Sequence, residues 1–258
     1  GEALKQTIDD AYPFFASRDV CTFVHDVEID DVKELLDQMI ACNTAIAQEG
    51  MHGDYGANIG KVIAIRKDLP SLLKAYAAAG SDARMNGCEL PVVINSGSGN
   101  QGLTVSVPLI IYAEREHLDK EKLYRALVIS NLTAIHLKTE IGRLSAFCGA
   151  VSAGAACGAG LAYLKDASEE VMNHTIVNAL AITSGIICDG AKASCAAKIA
   201  VSVEAGILGY DMYMNGQQFY GGDGIISKGI ENTIHNIGVL GSQGMASTDQ
   251  EIIKIMCE

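Results

Sequence analysis

Residues 30–50 read DDVKELLDQMIACNTAIAQEG: acidic residues open the segment, apolar residues recur at Val32, Leu35, Leu36, Met39 and Ile40, and a glycine closes it. Spacings of three and four place those apolar side chains on one helical face, and acidic starts and glycine stops suit helix termini. The same reading predicts further helices over 70–85, 103–116, 120–139, 144–164, 169–187, 194–208, 225–239 and 248–256. Only DVCTFVHDVEI, at 19–29, alternates with a period near two, which predicts a short strand left over from a neighbouring sheet. Glycine-rich joints, among them NSGSGNQG and NGQQFYGGDG, separate the elements, and no internal repeat or low-complexity tract interrupts them. The expectation is an all-α, compact multi-helix bundle over residues 31–258, with residues 1–30 a connector or the remnant of an upstream domain.

Composition sharpens this. The 258 residues are 49% hydrophobic but only 5% aromatic, with no tryptophan and 27 glycines, so helices of Gly, Ala, Ser and Val can approach closely around a large core. Residues 144–164 carry no charge and are long enough to span a bilayer. Their Gly, Ser, Ala and Cys content gives a weak transfer free energy, so they read instead as the buried central helix. A net charge of −12, without a basic run, argues against nucleic acid or an anionic membrane as partner and favours small molecules. Eight scattered cysteines suit a reducing compartment, and the absence of a cationic segment followed by an apolar one is consistent with a cytoplasmic protein. The opening Gly1-Glu2 reads as a cut.

The thiols divide by context. Cys21, Cys42, Cys88 and Cys157 read as small hydrophobes. Cys148 begins the Gly/Ala helix, Cys188 ends the next, and Cys195 begins the one after, so adjacent helices can bring the three to one end of the bundle. A closed zinc site takes four ligands and usually a short CxxC pair. Three thiolates suit an iron–sulfur cluster with one iron open to substrate.

PVVINSGSGNQG, IGRLSAFCGA and IICDGAKASCAAKI, together with DARMNG and the closing GSQGMASTDQEIIKIM, resemble the signature segments of the iron–sulfur L-cysteine desulfidases, relatives of the α chain of bacterial L-serine dehydratases. The resemblance covers the chain from about Leu36 onward. It implies a helical domain carrying a [4Fe–4S] cluster on Cys148, Cys188 and Cys195, and a lyase that converts L-cysteine to pyruvate, ammonia and sulfide by α,β-elimination. The short CDGAKASC spacing favours the desulfidase branch over L-serine dehydratase, where the last two ligands lie further apart. In the latter branch a cysteine at the chain end can fill the open iron position; Cys257 sits in a helix end that frays, which argues against that role. Family members also carry an upstream CTEP-like segment. VCTFVHD around Cys21 does not match it, so this chain is expected to be inactive alone and to need an upstream domain of the same enzyme. A homodimer is compatible with this reading.

The remaining candidates surround that chemistry. NSGSGNQG lacks the lysine of a nucleotide-binding loop and suits an amino-acid carboxylate, making Asn95, Ser96, Ser98 and Asn100 candidates for binding L-cysteine or L-serine; the same polar residues also serve to cap a helix and shape a turn. Arg84 in DARMNG joins them. Lys138 and Lys192 are candidate catalytic residues, able to balance a cluster's charge, hold a carboxylate or move a proton, or else are solvated surface lysines. His52, His136, His174 and His235 read as structural or exposed. The competing reading is a non-catalytic module, with thiols that hold a structural metal or with an interaction surface.

Overall fold

The computed structural model describes residues 16–142 and 145–257. Among them lie eleven α-helices: α1 (Ser17–Asp26), α2 (Ile29–His52), α3 (Ile59–Ala64), α4 (Leu69–Met85), α5 (Gly99–Arg115), α6 (Lys120–Ile141), α7 (Gly149–Leu164), α8 (Glu169–Thr183), α9 (Cys195–Met214), α10 (Ile230–Val239) and α11 (Ala246–Cys257). The helix starts follow from capping side chains. Asp68, Ser98, Asp119 and Ser168 accept hydrogen bonds from the backbone N–H groups of Ser71, Gln101, Lys122 and Val171.

The strand expected at 19–29 is not formed. These residues are α1 and the start of α2. Val20 and Val24, with Ser17, are buried at helical spacing, and the alternation that suggested a strand is a short run that both periods satisfy. Residues 1–15, the rest of the expected connector, lie outside the described residues. Among the described residues backbone pairing outside helices is limited to two isolated bridges, Asn95 with Ser98 and Phe147 with Ile187.

Other boundaries move for local reasons. The helix expected from 144 begins at Gly149, because Cys148 is extended: its N–H donates to the Ile186 carbonyl, while the Cys188 N–H donates to that of Ala146. That pairing also ends α8 at Thr183 instead of 187. Gly229, at φ 88°, delays α10 to Ile230. The glycine-containing GSQGM, at 241–245, falls largely within a π-helical turn, Leu240–Gly244, that carries α10 on into α11. The short α3 was not anticipated; the Gly60 N–H at its start donates to the buried Asp82 carboxylate.

α7 is the central helix, with fourteen of its sixteen residues buried. Its glycines set its neighbours. A Cβ at Gly154 would lie 2.3 Å from the Ser202 carbonyl oxygen, and one at Gly158 would lie 2.8 Å from Gly206 Cα, so α7 and α9 touch backbone to backbone in parallel. Gly149 meets Gln101 and Gly160 meets Leu109, which makes α5 parallel to α7 as well. α4, α6 and α8 run the other way: Arg84 lies against Gly99, Gly160 against Ala126 and Ser130, and Gly158 against Thr175. Three helices therefore start, and three end, at one pole of the bundle. No helix among the described residues is long and apolar enough to cross a membrane.

Candidate functional site

The pole where α5, α7 and α9 begin holds the cysteines. Cys148 is the residue before α7 and is buried; Cys188 lies exposed on the segment paired with it; Cys195 is the first residue of α9, half-buried, with its Sγ 3.6 Å from the Gly190 carbonyl oxygen. The Cys148 and Cys188 side chains are hydrogen-bonded to each other. Three helix N-termini add positive dipole ends, a setting that favours anions.

Charges reinforce it. The bond with Cys148 holds the Cys188 thiol well below the ordinary thiol range; the Gly190 N–H, Lys198 and Lys138 help, against the effect of partial burial. Cys148 is correspondingly raised, first by that same bond and then by burial. Beside two ammonium groups the pair gives up its first proton more readily than a lone thiol does, and the second is held on Cys148. Lys138, 7% exposed near the end of α6, is pushed down by its burial and drawn back up by the nearby thiols. Lys198 is the opposite case. Burial lowers it, but its bond to Asp189 outweighs that, and its Nζ also donates to the Ile187 carbonyl at 2.8 Å.

Of the two candidate lysines, Lys138 thus faces the thiols, whereas Lys192 bonds the side chain of Asp189 and, at 2.6 Å, its carbonyl oxygen. Lys192 and then Lys198 hold the Asp189 carboxyl down to about 2. Lys198 escaped the sequence reading. Its signal was its place three residues after Cys195, on the same face of the first turn of α9.

The 95–102 loop stands beside this pole. Asn95 and Ser98 exchange two backbone hydrogen bonds, with Ser96 at φ 48° and Gly97 at φ 79°, the signature of a tight type I′ turn. Asn95 is buried and fully used: its Nδ2 donates to the side chain and carbonyl of Asn131, and its Oδ1 accepts from the Ser96 hydroxyl at 2.9 Å. Ser98 caps α5 through its hydroxyl. Asn100 Oδ1 lies 3.5 Å from Arg84 Nη1, and Gly99 leaves room for that guanidinium, since a Cβ there would lie 2.3 Å from Arg84 Nε. In this arrangement Asn95, Ser96 and Ser98 shape the turn, while Arg84 and Asn100 form a looser polar pair at the opening of α5. Gln101, also missed from sequence, joins the loop to the cysteines: its amide lies against Gly149, next to Cys148.

The donor set can be weighed against a metal cluster. Among the described residues no three His, Cys, Asp or Glu side chains already converge as a metal site. Two thiols in contact and a third at the other end of the same short segment, with Lys138 and Lys198 beside them, are nonetheless soft donors in a cationic setting. On that chemistry they fit an anionic iron–sulfur group. Of the remaining thiols, Cys157 is fully buried, and burial pushes it up. Cys257 is exposed on α11, whose Met256 packs on Gly190.

A helical bundle whose glycine-rich central helix opens on a cysteine and a lysine-lined pole defines the class, and comparison with known sequences names it. The family model described as serine dehydratase alpha chain matches residues 15–254, and the chain belongs to that family. A UPF0597 protein of Desulfitobacterium hafniense is 63% identical over 92% of this chain and 56% of its own length. UPF0597 proteins of Finegoldia magna and Lachnoclostridium phytofermentans are 48% and 50% identical, over 96% and 97% of this chain and 60% of theirs. The chain thus spans a little under two thirds of the length of these relatives. No solved structure matches it.

Proposed function

We propose that this chain is the cluster-bearing, α-chain-like domain of an amino-acid lyase that carries out α,β-elimination on L-cysteine, giving aminoacrylate and sulfide, with the aminoacrylate hydrolysing to pyruvate and ammonia. The observation that supports the reading is the pairing of Cys148 with Cys188 beside Lys138 and Lys198, at the pole where α5, α7 and α9 begin and where Cys195 opens α9. Cys148, Cys188 and Cys195 would hold a [4Fe–4S] cluster. When bound, such a group supplies Lewis acidity toward the substrate's carboxylate or its leaving thiol or hydroxyl. The protein's own groups do the rest. Lys198 and Lys138 offset thiolate charge, and Lys138, kept easier to deprotonate by burial, can hold or release a proton at its Nζ. Arg84 and Asn100 are placed to orient a carboxylate at the start of α5. Lys192, committed to Asp189, shapes the segment between two thiols.

L-serine is the second substrate reading, favoured by the description of the matching family; the seven-residue spacing of Cys188 and Cys195 favours L-cysteine. Anaerobic reconstitution of the chain with iron and sulfide, joined to its upstream region and assayed for pyruvate with each amino acid, tests both. Iron and sulfide uptake with faster turnover of L-cysteine supports the proposal. A colourless, zinc-loaded protein without pyruvate release would overturn it in favour of a structural metal module.

A further inference from the structure

Gln101 is 5% exposed, and its Oε1 is buried without a hydrogen-bond partner. A buried carbonyl oxygen left unsatisfied is costly, so its persistence calls for a partner outside the folded chain. Its side chain is aimed at one place. A Cβ at Gly149 would lie 2.6 Å from Gln101 Nε2 and 2.7 Å from Cδ, so the carboxamide rests on the first residue of the sixteen-residue α7, beside Cys148. Only glycine at 149 leaves it that room. The Gln101 main chain is meanwhile ordinary, its N–H donating to Ser98 Oγ.

The surroundings specify the ligand. The opening N–H groups of α7 and the nearby Lys138 and Lys198 are donors or cations and suit a carboxylate. The unpartnered acceptor on the carboxamide that rests against Gly149 suits the opposite group. A carboxylate and an ammonium on one carbon are what an α-amino acid presents. Resting on the amino-acid reading above, we infer that Gln101 contacts the substrate directly, its Oε1 accepting a hydrogen bond from the α-ammonium while the carboxylate lies on the N-terminus of α7. Gln101 would then select amino acids over their deaminated counterparts.

The test measures calorimetric binding of L-cysteine and L-serine, and of 3-mercaptopropionate and 3-hydroxypropionate, which lack the amine, to the anaerobically reconstituted full chain. Gln101→Met keeps the side chain's length and removes the acceptor. Expected are a loss of amino-acid affinity of about 10- to 100-fold, unchanged affinity for the amine-free acids, and a melting temperature that is kept or raised because the unsatisfied oxygen is gone. Equal weakening of both ligand classes, unaltered amino-acid binding, or failure of Gln101→Met to fold would each overturn the inference and make the residue structural. Iron and sulfide analysis separates this from the broader reading. A chain that takes up the cluster but binds no amino acid overturns the inference alone. One that takes up no iron yet binds amino acids in a Gln101-dependent way overturns the cluster reading alone, and a chain that does neither overturns both.

Discussion

At the scale of single residues, eight cysteines share one chemistry and differ only in surroundings. Cys148→Ala, Cys188→Ala and Cys195→Ala are each expected to lose most of the iron bound after reconstitution, whereas Cys42→Ala, altering a half-buried thiol on α2, should retain it; iron-to-protein ratios check this, and equal retention in all four would remove the three-thiol assignment. A second residue makes a prediction about pH. Lys120, then Lys33 and Tyr124, hold the Asp37 carboxylate well below the usual range. A depressed carboxylate stabilises the fold above its unfolded value, near 4, and that stabilisation fades as pH falls toward the folded value. Asp37→Asn should therefore lower the melting temperature at pH 7, and its gap from the wild type should narrow between pH 4 and pH 2. A gap that stays constant with pH would mean that the tie between α2 and α6 is not electrostatic.

Among elements, the contact of α7 with α9 decides where the cysteines sit. Gly154, Gly158 and Gly206 let the two backbones meet, and a Cβ at Gly206 would lie 2.5 Å from the Gly154 carbonyl oxygen, a rigid neighbour that cannot step aside. Gly206→Ala is expected to cost about 1–3 kcal/mol by overpacking, and to weaken metal retention because Cys148 and Cys195 ride on those two helices. Gly185→Ala meets nothing within 4 Å and should be close to neutral. Denaturant unfolding of both variants checks the pair; equal stability would mean that the helices can separate without loss. Of this layout the glycine-rich composition was legible in advance, and with it a close-packed central helix. The parallel pairing of α5, α7 and α9 was not, since hydrophobic periodicity reports which face is buried and says nothing of the neighbour that buries it.

For the whole molecule, the governing fact is that the chain spans 56–60% of the length of the relatives compared above. The described residues carry thiols, lysines and polar side chains at the pole, and the family resemblance implies a further, CTEP-like segment upstream that takes part in turnover. The reconstituted chain alone is expected to release pyruvate at no more than background, and addition of the upstream region should restore turnover. Robust sulfide and pyruvate release by the 258 residues alone would place the base within them, with Lys138 the first candidate to substitute.

The sequence by itself determined the helical class and about half of the helix starts, because caps, three- and four-residue spacing and glycine stops act over a single turn. It misassigned 19–29 because a short apolar run satisfies both the helical and the strand period. Only the tertiary structure decided that Cys148 and Cys188 pair across an extended bridge, that Lys138 faces them while Lys192 turns to Asp189, and that Gln101 reaches the start of α7 with its oxygen unmet. Each of these depends on segments tens of residues apart meeting at one pole, and such meetings are set by how helices pack, through contacts that local spacing does not encode.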